Sequence, residues 1–293
     1  MTAFSATDAA FEGFRIAREK PKVIFVWAIL SFLVSLVSAV YLISIGQEAR
    51  AVFEASASEQ APDLDALLAA MGDMAPMMVV GLMVQCVMAA AVYRIVLRPA
   101  DQGFAYIKLG MDEVRLAVLT FVYVLIASVL LAAVVLAAGF VAALASVGGR
   151  GPMIMVGAIS EVFFLGLLLY VAVRLSLAPA ITFSERRLAV FDSWKLTHGQ
   201  FWRLMGAYGL AVFGIMAIAA LVLILFVVLT AIALGGDLQK ASLIFRPDQS
   251  SMTAYFSPVM ILYLVVAAWV SALYYAVVIA PAGVAYRELS RAA

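Results

Sequence analysis

Six long apolar segments constrain this chain more than any other feature of its sequence. They are 21 to 31 residues long, and at about 1.5 Å of rise per residue even the shortest helix would exceed the roughly 30 Å of hydrocarbon in a bilayer. A composition of 66% hydrophobic and 13% charged residues is far from that of a soluble domain. Backbone groups in lipid need internal hydrogen bonds, and the segments lack the alternation of barrel strands, so we predict an all-α polytopic membrane protein with six transmembrane helices. The segments are 23–45, 77–97, 116–145, 153–177, 204–234 and 259–279.

Lysine and arginine are distributed unevenly around these segments. Fifteen of the 19 basic residues flank the segment ends that lie on one side of the membrane, and four lie on the other side. The positive-inside bias therefore predicts that both termini are cytoplasmic. Arginine outnumbers lysine and alanine is abundant, which is typical of a high-GC bacterium, so we expect a multi-pass protein of the bacterial inner (plasma) membrane. The four exceptions are Arg50, Arg150, Lys240 and Arg246.

A proline motif recurs at the ends of three apolar segments. It reads RIVLRPA at 94–100, RLSLAPA at 174–180 and AVVIAPA at 276–282. We interpret this self-similarity as one helical-hairpin unit written three times within a single membrane domain, 1–293. The arginine that stands five residues before the proline is present in two units and is replaced by Ala276 in the third. The predicted repeat units are approximately 1–100, 101–182 and 183–293.

Short amphipathic stretches precede the first, third and fifth segments. The first begins with Ser5-x-x-Asp8, which resembles a helix-capping box, and Pro21 ends it. Similar mixtures of aromatic and basic residues occur at 104–115 and 191–203. We predict short interfacial amphipathic helices at these places. For the first stretch, a plain anchor that orients the first span is the alternative.

Arg94 and Arg174 are the main candidates for a binding site. Each lies about 7 Å inside its proline by helix rise, which is close enough to snorkel to the membrane interface. Guanidinium groups bind phosphate through two hydrogen bonds, so the pair predicts a site for the headgroup of an anionic phospholipid. The alternative is snorkelling with a carboxylate partner. The carboxylates near enough in sequence are Asp101, Glu185 and Asp192.

Glu161 is the one ionisable group deep within an apolar segment. By helix rise it lies about 12 Å from the outer end of the fourth span, where a charge is costly and is often functional. Gln85 is the other strongly polar residue at membrane depth. Together they suggest a proton or cation pathway, whereas the alternative is a structural hydrogen bond to a neighbouring helix.

Residues that would support enzymatic chemistry are scarce. The single histidine, His198, has no nucleophile or paired carboxylate near it in sequence, and the single cysteine, Cys86, cannot form a disulfide within the chain. The methionines between Met71 and Met78 resemble a copper(I) site, but Pro76 is expected to begin the second span and to separate them. We therefore predict no catalytic residue, no cofactor and no metal.

One stretch of about thirty residues carries a family resemblance. The motif VRLSLAPA at 173–180 is followed by Glu185, by FDSWKLTHG at 191–199 and by FWRL at 201–204. This stretch resembles the YciC-like uncharacterised bacterial inner-membrane proteins and the related membrane domain of some glycerophosphoryl diester phosphodiesterases. The soluble phosphodiesterase domain is lacking here, so the resemblance transfers neither that activity nor a catalytic residue. It implies a polytopic inner-membrane protein linked to lipid or envelope upkeep.

These observations lead to two hypotheses about function. The first is a non-enzymatic integral membrane protein that binds or organises lipids or partner membrane proteins in envelope maintenance, with Arg94 and Arg174 holding the headgroups. The second is a small transporter or channel that uses Glu161 and Gln85. Neither hypothesis involves nucleic acid as a partner; the net charge of +1 hides the uneven distribution of basic residues and does not by itself identify a partner.

Overall fold

The fold is an assembly of helices. The computed structural model describes residues 4–45, 52, 64–147, 149–236, 247–249 and 251–292, and none of these residues is in a β-strand. A single 3₁₀ turn, Phe104–Tyr106, precedes the fourth helix. The α-helices are α1 Ala6–Glu19, α2 Pro21–Ser44, α3 Leu64–Leu97, α4 Met111–Ser146, α5 Arg150–Leu175, α6 Ala178–Glu185, α7 Asp192–Leu196, α8 Phe201–Ala233, α9 Met252–Tyr255 and α10 Pro258–Ala292.

Six of the helices are long and apolar enough to cross a membrane, which confirms the predicted all-α polytopic fold. They are α2, α3, α4, α5, α8 and α10, one for each apolar segment. The expectation that Pro76 begins the second span was wrong, because α3 starts at Leu64 and contains the proline. A proline removes only one hydrogen bond from a helix, and the leucine, alanine and methionine residues around it favour helix.

The N-terminal helix is packed into the bundle. Its predicted ends are confirmed: the Ser5 side chain accepts a hydrogen bond from the Asp8 amide, and Pro21 is the first residue of α2. Ala9 and Gly13 are buried where α1 crosses α10. A methyl group placed on Gly13 would overlap the backbone of Val277 and come within 2.5 Å of the Ala276 carbonyl oxygen. The sequence therefore identified this helix but not the small-residue face that it buries.

Helix α10 is the centre of the assembly. It packs against α1, α2, α3 and α8, whereas α4 packs mainly against α5. Four alanines spaced by four residues are buried along α10, and small side chains at this spacing let helix backbones approach closely. The predicted three-hairpin repeat stays a prediction, since α2 and α3 each make their main contacts with α10. The alanines are Ala268, Ala272, Ala276 and Ala280.

Both chain ends and two connections meet at one end of the bundle, which we call the basic end. The Lys20 ammonium donates to the Tyr106 hydroxyl at 3.2 Å, and the Arg287 guanidinium donates to the Val96 carbonyl at 3.2 Å. Most of the buried residues of α2, α3, α5 and α8 lie near this end. The core is therefore densest around the arginines that flank the proline motifs.

The segments between spans differ from the predicted amphipathic helices in one place. Before α8, the short helix α7 forms as predicted and is followed by Gly199, whose φ of +74° suits glycine. Before α4, the chain forms only the 3₁₀ turn, in which Ala105 and Tyr106 have φ values of 51° and 62°. Such left-handed residues interrupt a helix, so this segment turns instead of continuing along the membrane surface.

Candidate functional site

The two arginines of the proline motif lie at corresponding places at the basic end. Arg94 is in the last turn of α3 and Arg174 is in the last turn of α5. They are only 2% and 4% exposed, which is unusual for arginine and requires an account of where each positive charge finds compensation.

Arg94 is compensated within its own chain. Its Nη2 pairs with the Glu113 carboxylate, which is itself buried, and its Nη1 donates to the Tyr106 carbonyl at 3.0 Å. Asp101 Oδ2 lies 3.7 Å from its Nε. A buried cation with two carboxylates and a carbonyl around it is a structural ion pair, so the geometry favours the carboxylate alternative for Arg94.

The 3₁₀ turn positions one of these partners. Its left-handed residues direct consecutive carbonyls inward: the Ala105 carbonyl accepts from the Trp27 indole at 3.0 Å, and the Tyr106 carbonyl accepts from Arg94. Backbone in this region is strained for residues other than glycine. The two hydrogen bonds offset that strain and join α2 and α3 to the turn.

Asp101 adds a partly exposed charge to the same site. It accepts a hydrogen bond from Lys108, which lowers the pKa of its carboxyl group below the ordinary value, and Arg94 and Arg98 act in the same direction. It is thus ionised at neutral pH and adds negative charge beside Arg94.

Arg98, which follows α3, contacts residues of both α4 and α6. It pairs with Asp112 at 2.9 Å, and its guanidinium lies 4.3 Å from the centre of the Phe183 ring. It also donates to the Phe183 carbonyl, and Asp112 receives a second arginine, Arg115, at 3.0 Å. These contacts tie α3, α4 and α6 together, which gives Arg98 a structural role.

Arg174 has a different environment. Its guanidinium lies 4.7 Å from the Trp194 ring centre and 6.0 Å from that of Tyr170. Its buried Nε has no hydrogen-bond partner, and the described part of the chain gives the guanidinium no carboxylate. Two aromatic faces stabilise a cation by about 0.5 to 2 kcal/mol each, but they add no negative charge. Among the described residues, Arg174 is therefore a buried cation without a counter-ion.

The difference arises nineteen residues after each arginine. Glu113 follows Arg94 by nineteen residues and binds its guanidinium, whereas Ser193 follows Arg174 by nineteen residues and donates to its carbonyl oxygen at 2.7 Å. The Ser193 hydroxyl also accepts from the Leu177 amide at 3.1 Å. At this separation the chain supplies a charge to the first arginine and only a main-chain hydrogen bond to the second.

The acidic residues closest to Arg174 in sequence are engaged elsewhere. Asp192 and Glu185 both pair with Arg187, at 2.5 Å and 2.7 Å. Glu185 also accepts from the Tyr286 hydroxyl at 3.4 Å. Of the three carboxylates that the sequence offered as partners, one lies beside Arg94 and two pair with Arg187.

An aromatic and basic ridge covers Arg174 on the outside. Trp202 is 77% exposed and Phe191 is 63% exposed, while Trp194 and Tyr170 are each about 40% exposed. Phe201 contacts both Tyr170 and Trp202, with ring centres 5.3 Å and 5.2 Å apart, so the rings form one cluster. Basic side chains on the same corner are exposed. They are Lys195 and Arg203, with His198 beside them.

The two intramembrane polar residues are not brought together. Gln85 lies on an exposed face of α3 and Glu161 on an exposed face of α5. Neither has a hydrogen-bond or ion-pair partner in the described ranges. A transport route needs several polar groups that converge inside the bundle. The transport hypothesis stays a prediction that this arrangement does not favour.

Sequence reasoning found both arginines but missed what distinguishes them. A signal for Glu113 was present, since its carboxylate accepts from the Gly110 amide at 2.9 Å as a helix-capping residue does. The stacking of Trp194 on Arg174 had no signal in the sequence, because it is a contact between two helices, α5 and α7, whose mutual placement local patterns do not predict. No protein-family model, curated protein or solved structure matches the chain. The resemblance to YciC-like proteins therefore stays a prediction from the motif residues.

Proposed function

We propose that this protein is a non-enzymatic component of the bacterial inner membrane that binds anionic phospholipid at its basic end, on the cytoplasmic side. Through this binding it would organise lipids or partner membrane proteins, in keeping with the resemblance to YciC-like proteins. Arg174 is the residue that holds the headgroup phosphate. The positive-inside distribution of lysine and arginine supports the cytoplasmic orientation of this end.

A single observation carries the proposal, namely the uncompensated charge of Arg174. A buried polar group without its partner costs about 1 to 3 kcal/mol, and more when it is charged. The aromatic contacts offset part of this cost but add no negative charge; the Nε atoms of both Arg94 and Arg174 lack a hydrogen-bond acceptor, so the missing carboxylate is what distinguishes Arg174. An anion that reaches the guanidinium would remove the remaining penalty, so the site is prepared for one.

Phospholipid headgroups fit this site by chemistry and by place. The planar guanidinium has several donors that match phosphate oxygens, and stacking on Trp194 holds its plane in a fixed orientation. Exposed tryptophans such as Trp202 favour the headgroup region, and Lys195 adds attraction to an anionic leaflet. Tyr170 is partly exposed and lies farther from the guanidinium than Trp194, so displacement of the Tyr170 ring gives a headgroup access from the lipid side while the Trp194 stack is kept.

Arg94 has no such role in this proposal. Its guanidinium already contacts Glu113 and the Tyr106 carbonyl, so a phosphate would have to replace a buried carboxylate. The original hypothesis of two equivalent headgroup arginines thus becomes a proposal about one.

Native mass spectrometry in mild detergent tests the proposal. The wild-type protein, Arg174→Gln and the control Arg203→Gln are extracted identically, and their retained lipids are identified. Arg203 is the matched control because it is an exposed arginine of the same corner, bonded only to Gln200 at 3.2 Å. Loss of anionic lipid in Arg174→Gln alone is the expected result. Equal occupancy in all three proteins would refute it, provided that size-exclusion profiles show an intact fold.

A further inference from the structure

The α4–α5 hairpin stands apart from the rest of the bundle. The most apolar 18-residue stretches of α4 and α5 contain no buried residue, whereas those of α2, α3 and α10 are 28% to 33% buried. Away from the basic end, α4 and α5 thus contact mainly each other. This hairpin offers a broad surface that the remainder of the described chain leaves uncovered.

Glu161 lies in the middle of this surface. By helix rise it is about 16 Å from the start of α5 at Arg150 and about 20 Å from Arg174, which places it near the centre of the bilayer. It is the only carboxylate in the six apolar segments. Its side chain is exposed and has no partner within the described ranges. Ionisable groups at this depth normally face a bundle interior and pair with another polar group, so a lipid-facing position is exceptional.

A line of exposed residues through Glu161 has the spacing of a helix-packing seam, and we call this line the seam. Ile154, Ala158, Glu161 and Leu165 follow one another at spacings of four, three and four, and all are exposed. This is the spacing of residues that meet between two packed helices. Gly157 beside the seam has no heavy atom near the place where a side chain would begin, which allows close approach of another backbone.

We infer that a second copy of this chain packs on the seam, so that Glu161 of one copy meets Glu161 of the other. Two carboxyl groups that share a proton serve each other as donor and acceptor, which makes this side chain complementary to itself. A two-fold axis along the membrane normal brings each residue opposite its own counterpart, at the same depth. Apart from Arg94 and Arg174 near the basic end, the six apolar segments contain no lysine or arginine, so the chain offers no cation for a different pairing.

Subunit counting in lipid bilayers at falling protein-to-lipid ratios tests this inference. Wild type is expected to dimerise, Glu161→Leu to associate roughly three- to thirty-fold more weakly, and Glu161→Gln to remain dimeric because an amide is also complementary to itself. Gln85→Leu is the matched control, since it removes another exposed polar side chain, an amide, from a different span. A monomeric wild type, or equal affinities for wild type and Glu161→Leu, overturns the inference.

Disulfide cross-linking locates the contact. In a Cys86→Ser background, Ala158→Cys on the seam is expected to cross-link between copies, whereas Phe163→Cys, which is 66% exposed on another face of α5, is not. Cross-linking at position 163 alone would contradict the inference. Cross-linking of position 158 to a different protein, and not to a second copy, would also contradict it. Arg174→Gln is expected to dimerise normally, so failure of the lipid proposal and failure of this inference give different results.

Discussion

Arg94 and Arg174 occupy the same position in two similar segments, yet their surroundings are opposite. Arg94 is enclosed by Glu113, the Tyr106 carbonyl and Asp101. Arg174 is as deeply buried but has aromatic rings where Arg94 has carboxylates. The first arginine completes an ion pair that holds helices together, and the second has aromatic contacts but no carboxylate partner among the described residues, which is the basis of our proposal that it binds an anion.

The comparison shows that the same motif can stand in two different environments. The local sequence places each arginine in the last turn of a span before a proline. The partners of the two arginines differ at the residue that lies nineteen positions later. This residue is Glu113, which binds the Arg94 guanidinium, in the first segment, and Ser193, which binds the Arg174 carbonyl, in the second. When a motif occurs more than once in a sequence, the contacts of each occurrence therefore decide whether it can bind a ligand.

The third segment extends the comparison. There the arginine is replaced by Ala276, which is fully buried. The backbone of Gly13 in α1 lies against Ala276 and Val277, so a helix packs where the other two segments carry an arginine side chain. At this motif the third segment thus serves helix packing and has no charged group.

The largest effect is expected for Arg94→Met. Removal of one partner leaves Glu113 buried without its counter-ion, which costs about 3 to 5 kcal/mol of unfolding free energy. Reversible unfolding by sodium dodecyl sulfate in mixed micelles measures this loss. The double variant Arg94→Met/Glu113→Met is the control, since it removes both charges and is expected to recover most of the stability. A loss below about 1 kcal/mol for the single variant would show that Arg94 is not held by an ion pair.

Gly13→Ala tests the third segment. The added methyl group has no room between α1 and α10, so we expect a loss of about 1 to 3 kcal/mol in the same unfolding assay. Gly209→Ala in α8 is the matched control, because no atom lies within 4 Å of the added group. There alanine is expected to be neutral or stabilising. Equal effects of the two substitutions would contradict the packing of α1 on α10.

Trp194→Ala probes the aromatic support of Arg174. Loss of the stacked indole is expected to cost about 0.5 to 2 kcal/mol of lipid-binding free energy, because the guanidinium is no longer held in one orientation. The change is measured as the affinity for phosphatidylglycerol in nanodiscs of graded composition. Trp202→Ala provides the comparison, since Trp202 belongs to the ridge but does not contact Arg174 in the structure. Equal losses from both substitutions would indicate general interfacial anchoring instead of a supported guanidinium.

The smallest effect is expected for Asp101→Asn. Its side chain is 35% exposed, so the exchange costs less than about 1 kcal/mol at neutral pH. The folded-state pKa of Asp101 lies below its ordinary value of 3.8. The stabilisation is therefore present above pH 3.8 and disappears as pH falls through the lower, folded-state value. Thermal melting of both proteins across acidic pH checks this, and a difference that grew on acidification would contradict it.

The sequence predicted the helices well and the contacts between them poorly. Apolar length defined the six spans, and Ser5 and Pro21 marked the ends of the first helix correctly because capping depends on neighbouring residues. The left-handed pair Ala105 and Tyr106 had no local signal, since these residue types rarely adopt that conformation.

Local sequence patterns could not predict contacts between residues that are far apart in the sequence. The burial of α1 on α10 depends on the fit of Gly13 to Val277, and small residues occur in many places without packing. The asymmetry between Arg94 and Arg174 was also hidden, because the sequence offers carboxylates near both of them. Only the fold shows that Asp192 and Glu185 are paired with Arg187.

The central claim is that the buried Arg174 guanidinium lacks a counter-ion until an anionic lipid binds. The most direct test of this claim is the melting temperature of delipidated protein before and after addition of phosphatidylglycerol. Without lipid, Arg174→Met is expected to melt at or above the wild-type temperature, because a buried charge without a partner has been removed. With lipid, wild type is expected to gain stability by mass action, and Arg174→Met to gain little. If Arg174→Met is instead destabilised without lipid and then gains as much as wild type on addition of lipid, Arg174 is a structural residue like Arg94.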